Sequence, residues 1–175
     1  MTQPRREDCR CRPVKPQALS AVLLCMMVAL TVQSARADDP WIMPVRPACV
    51  SSPFGWRHAV GPMAPAGFHN GIDMPAPAGG YVYAVAGGQV LMVKKMGLGG
   101  LQIELRHPDG LVTVYSHLGS VAPAIANGQR VVAAGSWLGR IGRTGVTYGT
   151  HLFFMVISNG KAVDPAQYLG VAHCK

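Results

Sequence analysis

After residue 50 the apolar residues fall in short segments, and no window of twelve residues has a clean helical period. Glycine and proline interrupt this pattern about every ten residues, as is typical of short strands joined by tight turns. The pattern predicts an all-β fold. The predicted strands are residues 89–95, 101–106, 111–116, 130–132, 138–141 and 152–157.

Glycine-containing stretches at 96–100, 108–110 and 158–160 lie just after predicted strands. Glycine beside Asn, Asp or a second glycine suits the tight turns of β-hairpins. The segments on either side of each stretch are therefore expected to pair as antiparallel neighbours. Residues 165–169 predict a short helical turn.

The N-terminal segment has a different pattern from the rest of the chain. Residues 1–17 are basic, residues 18–32 form an apolar run of 15, and Ala35-Arg36-Ala37 places small residues before a break. This order predicts a secretory signal at 1–37, cleaved after Ala37. The mature protein is then expected in the periplasm or the extracellular cell envelope. An uncleaved membrane anchor is the alternative, but such a run spans about 22 Å as a helix, short of the roughly 30 Å hydrocarbon core.

Removal of the signal changes the charge of the protein. The full chain carries a formal net charge of +8, whereas residues 38–175 hold ten Lys and Arg against six Asp and Glu, a net charge of +4. This excess is compatible with an anionic partner such as a cell-wall polymer. Basic and aromatic residues do not cluster along the chain, so no nucleic-acid partner is expected, and no membrane association is expected after cleavage.

Two cysteines, Cys49 and Cys174, remain in the exported chain, one near each end. In an oxidising compartment they are expected to form one disulfide, with two free thiols as the alternative. Prolines at three positions between residues 38 and 50 forbid regular helix, so 38–50 is interpreted as an extended lead-in. The folded domain is expected at 51–169, followed by a tail at 170–175.

His69 and Asp73 are the first candidates for metal-binding chemistry. Imidazole and carboxylate are both ordinary zinc ligands. Gly71 lies between the two residues and permits a tight turn that would direct both side chains at one ion. Taken alone, the pair is interpreted more simply as a polar loop.

Strand alternation adds two further histidines to this candidate site. Residues that alternate along a strand share a face of the sheet. The predicted shared faces are Thr113, Tyr115 and His117 in one strand, and His151, Phe153 and Met155 in another. We therefore expect His117 and His151 to close over the loop that holds the first pair, so that three histidines and one aspartate line a single cleft.

Five blocks of sequence occur in a fixed order along the chain. They are Ser52-Pro53-Phe54-Gly55-Trp56-Arg57, residues 69–73, Tyr115-Ser116-His117-Leu118, residues 139–145 and Gly149-Thr150-His151-Leu152. Together they resemble the lysostaphin-type, or LytM-domain, zinc metallopeptidases, which cut peptide cross-links in bacterial cell wall. The resemblance covers about residues 51–169 and implies an antiparallel β-sheet core with a groove across one sheet.

The resemblance also implies roles for individual residues. In that family a histidine, an aspartate and the second histidine of a His-x-His strand hold the zinc. Carried over, His69 and Asp73 are two metal ligands, and Phe153 stands at the third position. His117 and His151 correspond to the histidines that assist catalysis. Phenyl has no lone pair, so zinc is expected to bind weakly or not at all.

Two replacements for the lost ligand remain open. His151 would complete the set if its ring turned onto the metal, although the family uses that histidine in the reaction. His58 follows the first block and is the second alternative.

The sequence thus favours an exported, cell-wall-associated LytM-type domain with a degenerate zinc site. Such a domain would bind peptidoglycan or regulate a wall hydrolase. The alternative is an active zinc metalloendopeptidase that hydrolyses peptidoglycan peptide cross-links. A third hypothesis is a disulfide-stapled part of an envelope assembly that holds a protein strand in its groove.

Overall fold

The computed structural model describes residues 40–59, 66–95 and 97–175. The predicted signal segment, residues 1–37, and its cleavage site lie outside these residues. Within the described ranges no helix has both the length and the apolar character needed to cross a bilayer.

Strands dominate the described part of the chain, as the sequence pattern predicts. The strands are β1 (Gly55–Arg57), β2 (Gly67–His69), β3 (Ile72–Pro75), β4 (Tyr81–Tyr83), β5 (Gly88–Lys95), β6 (Leu101–Arg106), β7 (Val112–Val121), β8 (Val131–Val132), β9 (Trp137–Ile141), β10 (His151–Ser158) and β11 (Lys161–Val163). Two short helices, α1 (Pro123–Ala126) and α2 (Ala166–Leu169), complete the fold. The predicted all-β class is confirmed, and α2 coincides with the predicted helical turn.

The strands form one large sheet and a small hairpin of β1 and β2. The main path of the large sheet runs β11-β10-β7-β6-β5-β8, with β3 on β10 and with β9 joining β7 to β4. All of these named pairs are antiparallel. The three predicted hairpins are confirmed, since β5 pairs with β6, β6 with β7, and β10 with β11.

The hydrophobic core lies against one face of the large sheet. In β10 the residues Leu152, Phe154 and Val156 are fully buried, and the residues between them are only partly covered. Tyr115 of β7 packs against Phe154 with ring centres 5.3 Å apart. Strand alternation therefore leaves the opposite face of β10 and β7 free for a groove.

The segment predicted as an extended lead-in also contributes to this core. Val45 is fully buried, and the Trp41 ring stacks on the Tyr168 ring with centres 4.8 Å apart. The predicted disulfide is present: Cys49 and Cys174 are bonded, with Cα atoms 4.9 Å apart. The two ends of the described chain are thus fastened to the core and to each other.

Candidate functional site

A groove of about 1270 Å³ crosses the outer face of the large sheet. Its floor includes Phe153 and Met155 of β10, as the predicted alternation requires. The groove also contains all four predicted site residues: His69, Asp73, His117 and His151. The structure therefore brings the three histidines and the aspartate into one cleft, while their chemical roles stay predictions.

One row of residues crosses the floor of the groove at right angles to the strands. Asp73 of β3 lies opposite Phe153 of β10 on one side and opposite Ser52 on the other. Phe153 in turn lies opposite Ser116 of β7. Directly opposed side chains on one sheet face have Cβ atoms about 5 Å apart, so the phenyl of Phe153 is the cross-strand neighbour of the Asp73 carboxylate.

The Asp73 carboxylate is the electrostatic centre of the site. Its Oδ1 lies 3.3 Å from Nε2 of His69 and 3.3 Å from Nε2 of His151. Its Oδ2 lies 3.6 Å from the Arg57 guanidinium. Burial by itself would raise the pKa of Asp73, but hydrogen bonds and charge from His151 and His69 outweigh it and hold the pKa well below its usual range. Asp73 is therefore ionised at neutral pH.

Hydrogen bonds to the Nδ1 atoms orient the two histidines beside this carboxylate. His69 Nδ1 lies 2.9 Å from the carbonyl oxygen of Pro53, which can only accept, so Nδ1 carries a hydrogen. His151 Nδ1 lies 3.2 Å from Oγ1 of Thr147, whose hydroxyl donates to the Gly149 carbonyl. With Nδ1 protonated, Nε2 either carries a second hydrogen, which it donates to Asp73, or presents a lone pair that needs a cation between itself and the carboxylate. Such an arrangement suits a cation or a proton held between the groups.

His117 reaches the groove by a different route from the one predicted. Thr113 and Tyr115 are fully buried and joined by a hydrogen bond in the core, so the prediction that His117 shares their face is wrong. The backbone of His117 has φ +62°, and the strand register shifts between Leu118 and Ser120. This irregularity turns the side chain outward, so that His117 lines the groove.

The His117 ring is held in a single orientation. Its Nδ1 donates to the Thr144 carbonyl over 2.8 Å. Burial lowers the pKa of His117, and the nearby His151 lowers it further, against opposing contributions from Thr144 and Asp73. The ring is therefore neutral at pH 7. Because Nδ1 carries the hydrogen, Nε2 presents a lone pair. That state suits a proton acceptor.

Phe153 fills the position at which the resemblance places the third metal ligand. The centre of its ring lies 5.4 Å from that of His69 and 6.2 Å from that of His117. A Cβ atom on Gly71 would come within 2.8 Å of the phenyl edge, so the ring rests directly on this glycine. The ligand position is thus occupied by a packed aromatic ring without a lone pair.

At the three positions that the resemblance implies for zinc, His69 and Asp73 carry donor atoms and Phe153 carries none. Across residues 40–59, 66–95 and 97–175, no group of three or more His, Cys, Asp or Glu side chains is arranged to hold a metal ion. His58, the other suggested replacement, lines the groove but belongs to no such group.

His107 lies apart from the groove. It is buried beyond the end of β6, where its Nδ1 donates to the Gly87 carbonyl over 2.9 Å. Its Nε2 lies 2.8 Å from Oγ1 of Thr113. These bonds satisfy both ring nitrogens, so His107 is a structural residue of the core.

Sequence reasoning assigned no role to several residues that shape the groove. Arg57 belongs to a recognised block, but only the fold brings it beside Asp73. Four large apolar side chains of the groove lining are also exposed to solvent: Phe68, Leu98, Val146 and Tyr148. Three of them lie in turns or loops, where no periodic pattern marks their orientation.

Comparison with known proteins identifies the family of this fold. Residues 67–165 match Peptidase family M23. The chain is 36% identical over 117 residues to the DD-carboxypeptidase/endopeptidase Mpg of Neisseria meningitidis. That alignment covers 66% of this chain and 26% of the relative, so the chain spans about a quarter of the length of that protein.

Two solved structures share the fold. A zinc-containing peptidase from Vibrio cholerae aligns with a TM-score of 0.62 at 26% identity, over 74% of this chain and 39% of that one. The catalytic domain of lysostaphin from Staphylococcus simulans aligns with a TM-score of 0.55 at 29% identity, over 69% of this chain and 89% of that one. The resemblance drawn from the five sequence blocks is confirmed.

Proposed function

Because this chain belongs to peptidase family M23, we propose that it is an exported envelope protein that binds the peptide part of peptidoglycan in its groove. In this proposal the zinc site is degenerate, and the domain acts by binding the wall or by regulating a wall hydrolase. Peptidoglycan is proposed because a relative from Vibrio cholerae, 33% identical over 96 residues, is named as a peptidoglycan DD-endopeptidase.

The observation that carries this proposal is Phe153. Its phenyl lies opposite Asp73 and rests on Gly71, where a third donor would have to stand. A catalytic zinc site needs three protein ligands beside its open position. Loss of a supporting partner alone commonly costs 10- to 100-fold in metal affinity or activity, and loss of a direct ligand costs more.

The groove itself supports a binding function. Its volume of about 1270 Å³ exceeds the roughly 300 to 1,000 Å³ of typical small-molecule pockets, which favours an extended peptide. Exposed apolar side chains such as Leu98 and Tyr148 stand along it. Apolar groups that remain exposed around a cleft commonly mark a surface that is covered by a ligand.

The deciding experiment compares the full chain with Phe153→His. Each protein is equilibrated with zinc, dialysed and analysed for metal, and each is then incubated with insoluble peptidoglycan to measure binding and release of soluble fragments. We expect the original chain to retain far less than one zinc and to bind without digestion. Phe153→His is expected to retain about one zinc per chain.

Met155→His is the matched control. It adds a histidine to the same face of the same strand, but Met155 lies opposite Val114 rather than in the row with Asp73. Zinc gained equally by both variants would show that position 153 is not special. Stoichiometric zinc with digestion by the original chain would refute the degenerate site.

An active zinc endopeptidase is the second candidate, and one observation favours it. Nε2 of His69 and Nε2 of His151 are each 3.3 Å from Asp73 Oδ1. Ligand atoms of a tetrahedral zinc site with bonds of 2.0 to 2.1 Å are likewise about 3.3 Å apart. Against it stands the lack of a three-donor metal group in the described part of the chain.

In this second candidate His151 replaces the lost ligand, and zinc would polarise the scissile carbonyl of the substrate. His117, held by Thr144, would then be the remaining proton acceptor. His151→Ala distinguishes the two candidate functions, because the substitution abolishes zinc retention only if His151 is a metal ligand. If the metal content of His151→Ala equals that of the original chain, the ligand set of His69, Asp73 and His151 is excluded.

A further inference from the structure

A second surface, separate from the groove, combines aromatic rings with a guanidinium. It consists of Tyr81 and Tyr83 on β4 and Trp137 and Arg140 on β9, and is called here the aromatic platform. Tyr81 lies opposite Arg140, and Tyr83 lies opposite Trp137. None of the four lines the groove. The platform is therefore not explained by the site already described.

The platform is fixed by its own contacts. Arg140 donates to the Gly79 carbonyl over 2.8 Å and to the Tyr81 hydroxyl over 2.9 Å. The guanidinium carbon also lies 4.2 Å from the centre of the Tyr81 ring. The Trp137 indole donates to the Gly139 carbonyl over 2.9 Å. Because these side chains are already ordered, binding a ligand would cost little side-chain conformational entropy.

Although fixed, these side chains stay accessible to solvent. Tyr81 is 46% exposed and Trp137 is 37% exposed, whereas Val82 and Leu138 beneath them are fully buried. Sugar rings have apolar C–H faces that pack on aromatic rings, and polar groups around the rim that need hydrogen-bond partners. The platform offers both kinds of contact, with Arg140 and the Tyr81 hydroxyl at its polar end.

The platform also lies near the groove. Arg140 pairs with Ser120 of β7, and His117 of the groove lies three residues earlier on that strand. In a regular strand, at about 3.3 Å per residue, the backbones of these two residues would lie about 10 Å apart. A polymer in which peptides branch from a sugar chain could therefore contact both surfaces at once.

We propose that the aromatic platform binds the glycan strand of peptidoglycan while the groove holds the attached peptide. This inference rests on the proposed function, because it assumes that the groove ligand is the peptide of that polymer. The assigned ligand class is an N-acetylated amino-sugar chain.

The test measures binding of the full chain to peptidoglycan glycan strands whose peptides have been removed enzymatically. Soluble N-acetylglucosamine oligomers serve as a second probe. Trp137→Ala is expected to weaken binding of both probes at least about tenfold, as for a central aromatic contact. Trp137→Phe keeps a flat ring and is expected to retain most of the binding.

Trp56→Ala is the matched control, because Trp56 is 84% exposed on β1 and lies outside both the platform and the groove lining. We expect it to change glycan binding less than about twofold. Equal losses in Trp56→Ala and Trp137→Ala would overturn the proposal. The proposal would also be overturned if Trp137→Ala left glycan binding intact but abolished the binding of another protein.

The outcome separates the platform from the groove. If the chain binds intact peptidoglycan but not the peptide-free strands, the platform assignment fails and the proposed function stands. If it binds the peptide-free strands through Trp137 but does not bind free wall peptides, the platform assignment stands and the groove assignment fails.

Discussion

The two faces of β10 show how differently one strand can be constrained. On the core face, Leu152, Phe154 and Val156 are fully buried. On the groove face, His151 and Phe153 are only partly covered, although both belong to the same strand and pair with β3 as Leu152 and Phe154 do. Packing restricts which residues can stand on the core face, whereas the groove face is open to residues chosen for their chemistry. An aromatic ring could therefore take a ligand position without disturbing the fold.

The largest expected effect contrasts two neighbouring phenylalanines. Phe154→Ala should lower the free energy of unfolding by about 3 to 5 kcal/mol, because it leaves a cavity in the core. Phe153→Ala should lower it by about 1 kcal/mol, since the ring lies in an open groove. Urea denaturation of both variants measures the contrast. Equal losses would mean that Phe153 is a core residue after all.

Removal of the disulfide should have the next largest effect. Cys49 and Cys174 are separated by 125 residues, and replacing both with serine should cost about 2 to 4 kcal/mol. The groove side should loosen more than the core, because Ser51, two residues after Cys49, donates its backbone N–H to the Asp73 carbonyl. Hydrogen exchange should therefore rise more at Ser51 than at Phe154. An equal rise in hydrogen exchange at both residues would show that the disulfide does not stabilise the groove side more than the core.

A smaller, pH-dependent effect on the free energy of unfolding is expected from Asp73, which lies on the groove side. Because the pKa of Asp73 is held below its usual value, the folded chain binds this proton less tightly than the unfolded chain. The resulting stabilisation is fully present above about pH 4 and is lost as the pH falls further. Asp73→Asn should thus cost on the order of 1 to 3 kcal/mol at pH 6.

That difference between Asp73→Asn and the original chain should shrink between pH 4 and pH 2. Urea denaturation at a series of pH values follows it directly. Asp109→Asn, which removes a carboxylate from an exposed turn, is the control variant. A difference for Asp73→Asn that stays constant with pH would contradict the electrostatic account.

The long strands could be predicted from sequence because each combines alternation with a hairpin turn. Strands β1 to β4 have three or four residues each, too few to show a period among the surrounding prolines and glycines. The packing of Trp41 and Val45 was not predicted either. Their segment carries prolines that only exclude regular helix, and the partners of Trp41 include His107 and Tyr168, which lie far away along the chain.

The sequence predicted which residues line the candidate site better than it predicted how their side chains are oriented. Alternation placed Phe153 correctly on the groove face, because β10 is regular at that position. The same rule failed for His117, where a positive φ interrupts β7. The contact of Arg57 could be found only from the fold, since its partner Asp73 lies on β3 of the large sheet, outside the β1–β2 hairpin.

The joined ends of the domain have a consequence for protein engineering. The chain reaches Cys49 and Cys174 at points 4.9 Å apart, and Trp41 stacks on Tyr168 close to the C-terminal end. A polypeptide that enters and leaves a domain at neighbouring points can interrupt a surface loop of a host protein without stretching it. Residues 41–174 could therefore be inserted as a unit into a single surface loop of an unrelated carrier protein.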